Sequence, residues 1–430
     1  MSTAHPASQG NWRVIALASL GGALELYDFI IYGIFAQQIA SQFFPSQEPL
    51  VSLLSTFGVF AIGYVSRPLG GIVLSSFGDR YGRRVVFIIS IFGMSVCTLG
   101  IGLIPGYAQV GILAPMLLIL LRTFQGFFLA GELPCSITYV VEEMPHRASL
   151  VSGMVILCLN CGVLIATLVS FILHKYLDAA DMAEFGWRVA FIIGGCFGLG
   201  SFWIRRTLSE SNEFKKIKSD VVRQPFRTVL KERRPSIVRG ICLAGVANAT
   251  NCLLFVVLPS YMTRVIGFDA SEVASGQNLG VGMLAISIAI IAWAGDKIPS
   301  HLLHRLGCII VLVGAYPLYS AMVGKSIGPT SAFMILGVVG GFFSGTYAYL
   351  LASLFDTRIR FTGIGLTLNL ATVLFTGITP YIVTKLIEIA GNPVAPAWYL
   401  MVVAVIGLLG GMTFRAWDGH KKPFTLQHQA

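Results

Sequence analysis

Long apolar runs alternate with short polar stretches twelve times along the chain, at residues 14–42, 50–76, 84–105, 112–141, 149–173, 187–206, 237–263, 272–294, 305–324, 330–354, 361–389 and 396–416. Each run is close to or above the ~20 mainly apolar residues that carry an α-helix across a bilayer. The pattern predicts an all-α integral membrane protein with twelve transmembrane helices. The first run is longer than a signal-peptide core and has no small-residue cleavage site, so it reads as a retained helix.

The longest polar interruption, 207–236, is rich in charge and poor in apolar periodicity. It divides the chain into an N-terminal six-helix bundle (1–206), a cytoplasmic linker (207–236) and a C-terminal six-helix bundle with a short tail (237–430). The halves echo each other weakly. "FGDRYGRR" between the second and third runs is matched by "AGDKIPSHLLHR" between the eighth and ninth, and "HRASLVSGMVILCLNCG" resembles "IRFTGIGLTLNLATV". Repeated six-helix halves with a binding site at their interface are a transporter plan. The 47 glycines, many inside the runs, suit close helix packing and bending.

Composition agrees: the chain is 55% hydrophobic and 12% charged, against about 25% charged in soluble domains. A net charge of +10 would fit nucleic acid or anionic lipid, but the charges sit in alternate loops. With both termini in the cytoplasm, 23 of the 30 basic residues face inward and only Lys175, Arg264 and Lys325 fall in outer loops. The positive-inside rule fixes that orientation in a bacterial inner membrane, and the basic balance reports topology rather than a nucleic-acid partner. Trp12, Trp187, Trp203, Trp293, Trp398 and Trp417 lie at predicted helix ends, where indole favours the membrane interface. None of the eight cysteines falls in an outer loop, so no disulfide is expected. Cys158 and Cys161 form a C-x-x-C without further ligands and read as small packing residues rather than a metal or redox site.

"GDRYGRR" at 78–84 resembles the G-x-x-x-D-R-x-G-R-R loop of the major facilitator superfamily, with Ser75 at the place of the usual first glycine. "LELYDFIIYG", "RPLGG" (67–71), "RTFQGFFLAGE" (122–132) and "RRTLSESNEF" (205–214) are similar to the metabolite:proton symporter branch, which includes carriers of citrate, 2-oxoglutarate, shikimate, proline and betaine. Leu133 and Pro134 depart from that branch's fourth-helix motif, and "GDKIPSHLLHR" lacks the G-R-R ending. Osmosensing members carry a long coiled-coil extension, whereas this chain stops soon after its last helix. The resemblance implies a twelve-helix secondary transporter coupled to protons.

Ionisable residues in hydrocarbon cost at least ~2.5 kcal/mol each and default to a functional hypothesis. Glu25, Asp28 and Tyr32 are spaced i, i+3, i+7 and share one helix face. At about 1.5 Å per residue, Glu25 lies near mid-bilayer, level with Arg122 on the fourth helix, and Asp28 lies slightly outward. Arg122, Gln125 and Glu132 form a second polar stripe, with Glu132 near the level of Arg67. The expected roles are proton coupling for Glu25, Asp28 and Glu132, with Glu132 able to pair with Arg67. Substrate binding is assigned to Arg122, Tyr32 and Gln125 and, from the amide-rich C-terminal half, to Asn248, Asn251 and Asn369. A substrate carboxylate that draws Arg122 away from an acid would favour that acid's protonation, because an arginine lowers a carboxyl pKa and desolvation raises it. The alternative is a set of static ion pairs joining the helices.

Arg67, Asp79, Arg80 and Arg83 are assigned to gating, with Arg80, Arg83 and Arg84 bridging to Glu142, Glu143 or Glu210. Gln277, Asn278 and Lys385 are further polar residues of the C-terminal half. An aromatic cage for a quaternary ammonium would draw on Tyr27, Tyr32, Phe124, Phe255, Tyr347 or Tyr349. With so few mid-membrane arginines, a monocarboxylate or zwitterion such as an amino acid or betaine fits better than a di- or tricarboxylate. The sequence therefore predicts a monomeric, proton-coupled symporter with no metal and no cofactor. Alternatives are an exporter or antiporter of the same fold, a non-transporting membrane sensor, and a membrane enzyme, for which the histidines make no constellation with the buried acids.

Overall fold

The computed structural model of the chain describes residues 8–45, 49–217 and 221–416. Among these, every regular element is helical and no strand occurs. Among the described residues, eleven helices are long and apolar enough to cross a membrane. The second predicted run is the exception, since it forms two helices, Pro49–Val65 and Arg67–Tyr81, interrupted at Ser66. Pro68 has no N–H to donate to the Tyr64 carbonyl, so the ladder breaks there, and the Ser66 hydroxyl donates instead to the Gly63 carbonyl at 3.0 Å. Below, the twelve runs are called spans one to twelve.

The chain forms two compact units, Met1–Tyr139 with Cys158–Arg223, and Val140–Leu157 with Gln224–Ala430. In the first unit, spans two and four approach backbone to backbone: a side chain at Gly70 would strike the Phe127 backbone, and one at Gly126 the Gly63 carbonyl. Small residues permit such contact where no hydrophobic force drives helices together in lipid. An apolar cluster of Tyr27, Ile31, Tyr32, Phe35, Phe43, Trp187 and Phe191 fills one end of the unit. Trp187 begins the helix Trp187–Arg205, at a helix end as expected, and its side chain is fully buried, held edge-on against Phe43 and Phe191. Trp203, Trp293 and Trp398 are exposed, and Trp417 lies outside the described residues.

In the second unit, spans seven and eleven each contain a wide π-helical turn, Leu253–Val257 and Thr372–Gly377. Both have the same cause. Pro259 and Pro380 cannot bond to the carbonyls four residues earlier, Phe255 and Thr376. Neighbouring side chains occupy those freed acceptors: Gln277 donates to Phe255 at 3.1 Å, and the Cys252 thiol to Thr376 at 3.4 Å. Span ten also breaks, between Pro329–Ser344 and Tyr347–Ser353.

Candidate functional site

A pocket in the first unit is lined by Asp28 and Phe29 of span one, Gly63, Tyr64 and Arg67 of span two, and Arg122, Gln125, Gly126 and Leu129 of span four. Tyr64 and Arg67, spaced i, i+3, flank the break at Ser66. Asp28, Arg122 and Gln125 are nearly sealed from the surface, at 4%, 4% and 3% exposure. A carboxylate in such a place requires partners. Asp28 Oδ2 accepts from the Thr98 hydroxyl at 2.6 Å and from Gln125 Nε2 at 3.2 Å. Gln125 Nε2 also donates to Thr98 Oγ1 at 2.8 Å, while its Oε1 accepts from Arg122 Nη1 at 2.5 Å.

This orientation of the amide follows from chemistry: guanidinium only donates, so the amide oxygen faces Arg122 and the nitrogen faces the carboxylate. The Arg122 guanidinium lies 4.0 Å from the centre of the Tyr32 ring, and Arg67 lies 4.7 Å from that of Tyr64. Phe29 meets Tyr64 edge-on at 4.9 Å. The pocket therefore joins two cations, one buried acid and an aromatic corner.

Asp28, Tyr32, Arg122 and Gln125, all expected from the sequence, converge here. The side chain of Glu25 lies outside the described residues; Asp28 shares a network with Arg122. Glu132 departs from the expected pairing with Arg67. It receives Arg205 Nη1 at 2.6 Å, both side chains being buried, and Arg205 also donates to the Leu17 and Ala18 carbonyls at 3.2 and 2.7 Å. Arg205 is the last residue of the helix Trp187–Arg205 and its side chain is buried within the first unit. Arg67 instead faces the pocket. Thr98, Tyr64 and Arg205 were missed, because a threonine within an apolar helix and an arginine at a helix end carry no distinctive signal.

The loop motif is partly as expected. Arg83 pairs with Asp79 at 3.3 Å, both fully buried. Glu210 takes the backbone N–H of Arg83 at 3.0 Å and of Arg84 at 3.2 Å, capping span three rather than bridging to arginine side chains. Arg80 is exposed beside the Tyr81 ring.

In the second unit, Glu142 pairs with Arg360 at 3.3 Å, nearly free of solvent. Asp296 accepts from the N–H groups of Ser149 and Leu150 at 3.0 and 3.3 Å, at the start of the helix Ala148–Tyr176. Partial burial pushes the Asp296 carboxyl up to about 6, against the lowering effects of the Leu150 and Ser149 amides and of Arg147.

The amides of this unit are dispersed. Asn251 Nδ2 donates to Ser344 Oγ at 3.3 Å, Asn369 Nδ2 to the Gly365 carbonyl at 2.7 Å, and Gln277 to the freed Phe255 carbonyl. Asn248 is half-buried. Lys385 forms an exposed ion pair with Glu388 at 2.8 Å. Among the described residues no group of three or more metal-ligating side chains occurs.

Helices of membrane length and, in the first unit, a polar pocket holding an acid and two guanidinium groups fit a polytopic membrane carrier. The chain belongs to the Major Facilitator Superfamily, which it matches over residues 18–380. It is 34% identical over 417 residues to a Staphylococcus aureus (strain COL) protein provisionally described as a proline/betaine transporter, covering 92% of this chain and 86% of that relative. It is 30% identical to the proline/betaine transporter of Escherichia coli (strain K12), covering 94% and 83%. In fold it resembles the proton:xylose symporter XylE, with a TM-score of 0.78 over 94% of this chain and 95% of that one at 15% identity. The protein is thus a secondary transporter embedded in the membrane, handling a small-molecule substrate, and not an enzyme.

Proposed function

We propose that the protein is a proton-coupled symporter that takes up a small solute bearing a carboxylate and a cationic or zwitterionic group, by alternating access. The observation that carries this reading is the sealed chain Arg122–Gln125–Asp28 at the wall of a pocket that also holds Arg67. Arginine's planar fork suits a carboxylate and stays charged. The Phe29–Tyr64 corner suits the apolar cationic end of a betaine or proline, solutes named in the descriptions of the two bacterial relatives.

In this scheme Asp28 carries the proton, with Glu25 as a further candidate. Arg122 and Arg67 anchor the carboxylate, Tyr32 supports Arg122 from below, and Gln125 links the two sites. Asn248, Asn251 and Asn369 supply the C-terminal half's polar contacts. Asp79, Arg80 and Arg83 act in the cytoplasmic gate. The N- and C-terminal six-helix bundles, 1–206 and 237–430, are the moving bodies, and 207–236 is the linker between them. The carrier works as a monomer in a bacterial inner membrane, and the inward excess of basic residues supports cytoplasmic termini. Uptake of labelled proline and betaine into vesicles with an imposed pH gradient tests it. Accumulation that collapses with a protonophore supports symport, and export or no accumulation contradicts it.

A further inference from the structure

Resting on that reading, we infer that Thr98 and Gln125 are positioning residues through which the proton occupancy of Asp28 sets the availability of Arg122 to substrate. Thr98 has one hydroxyl proton and two acceptors in reach, Asp28 Oδ2 at 2.6 Å and the Met94 carbonyl at 2.9 Å. A hydroxyl can donate once and accept twice, so its direction depends on what faces it. When Asp28 is ionised it only accepts, and the Thr98 proton points to it. When Asp28 is protonated its O–H must donate. Thr98 then turns its proton to Met94 and accepts from the acid, with no atom moving further than a hydroxyl rotation.

Gln125 reads the same event. Its nitrogen is bound to both Thr98 and Asp28, and its oxygen holds Arg122. Charge-assisted hydrogen bonds are about twice as strong as neutral ones. An ionised Asp28 therefore polarises the amide and strengthens its grip on the guanidinium. Protonation removes the charge behind the amide, the grip loosens, and Arg122 turns to the carboxylate of the solute. The proton stays on Asp28 and no other bond changes. By reciprocity, a solute that occupies Arg122 favours the proton on Asp28.

The groups facing Asp28 leave it this route. Tyr27 and Tyr32 are on its own span, Tyr64 and Arg67 line the same pocket, and Cys97 is buried beside Thr98 on span three. Span six presents Gly194, where an added Cβ would lie 3.0 Å from Asp28 Oδ1. The carboxylate is thus fixed against backbone on one side and reads out through Thr98 and Gln125 on the other.

The test is the half-saturation concentration for labelled betaine or proline in reconstituted vesicles at pH 5.5 and pH 8. The wild-type value should rise with pH by a factor on the order of tenfold, within the range of an ordinary coupling free energy. In Thr98→Val and Gln125→Leu the ratio between the two pH values should shrink to about twofold or less, whatever the absolute values, and Thr98→Ser should keep it. A merely structural role would shift the value equally at both pH values. A wild-type ratio in Thr98→Val, or a Thr98→Ser variant that behaves like valine, would overturn the inference. Asp28→Asn separates the two levels. If it keeps the wild-type ratio, Asp28 is not the proton site and the proposed function fails, whereas a flat Asp28→Asn with an unchanged Thr98→Val sinks only the relay.

Discussion

Arg205 and Glu132 meet at 2.6 Å with both side chains buried, and the same guanidinium reaches the Ala18 carbonyl of span one at 2.7 Å. One arginine thus ties spans one, four and six together. Removing one member of a buried pair leaves an uncompensated charge, at a cost of roughly 3–5 kcal/mol. Glu132→Ala should therefore lower the thermal midpoint in detergent strongly. Glu132→Gln retains an oxygen for Arg205 and should lower it less, while keeping accumulation driven by a pH gradient. Loss of that accumulation in a well-folded Glu132→Gln protein would support the proton-coupling role expected of Glu132 from the sequence.

Glu142 and Arg360 form the corresponding buried pair of the second unit. A double-mutant cycle with Glu142→Gln and Arg360→Met, read by thermal unfolding, should give a coupling of about 1–3 kcal/mol, as expected for groups in one ion-pair network. Additive effects would show that the pair contributes nothing beyond its parts.

Glu210 caps span three through two backbone N–H groups, and Gly82 beside it holds φ at +116°. Loss of an N-terminal cap costs about 1 kcal/mol. Glu210→Ala should lower the melting temperature slightly. Gly82→Ala should lower it more, since alanine is strained at that φ and its Cβ would press on Glu210. Equal midpoints for the two variants would contradict this account of the turn.

Asp296 supplies a pH dependence. Its carboxyl is raised to about 6 where it faces Ser149 and Leu150, from an ordinary value of 3.8. The conformation holding this contact therefore binds more protons between those values than one in which Asp296 is hydrated. Its contribution is fully present below 3.8 and is lost as pH rises through about 6. Hydrogen exchange at the start of the helix Ala148–Tyr176, corrected for intrinsic rate, should show greater protection at pH 5 than at pH 7.5. In Asp296→Asn this difference should vanish. Persistence of the difference would assign it to another group.

Much of this organisation was legible in the sequence because hydrocarbon punishes polar atoms, so each run of low polarity marks a helix and each buried acid stands out. Asp28, Arg122 and Gln125 were visible for that reason, and helical spacing put the last two on one face. Thr98 was not, since threonine in an apolar helix can satisfy itself on the carbonyl one turn back, as Thr138 does on Pro134 at 2.7 Å. Trp187 and Arg205 both end a span, where residues by default read as interfacial, yet both side chains are buried. The two lie about five helical turns apart, on the one face of span six that also buries Ala190, Phe191, Gly194, Gly198 and Ser201. The stretch 50–76 reads as one run in the sequence, which misses the break at Ser66, although Pro68, which withholds an N–H from the ladder, lies beside it.

The central claim is that Asp28 carries the proton that drives uptake. Purified wild type and Asp28→Asn, reconstituted in vesicles, can be compared for solute accumulation under an inward proton gradient and for solute exchange at equal pH on both sides. Asp28→Asn should lose gradient-driven accumulation while still exchanging solute. Accumulation to the wild-type level by Asp28→Asn under the same gradient would contradict the claim.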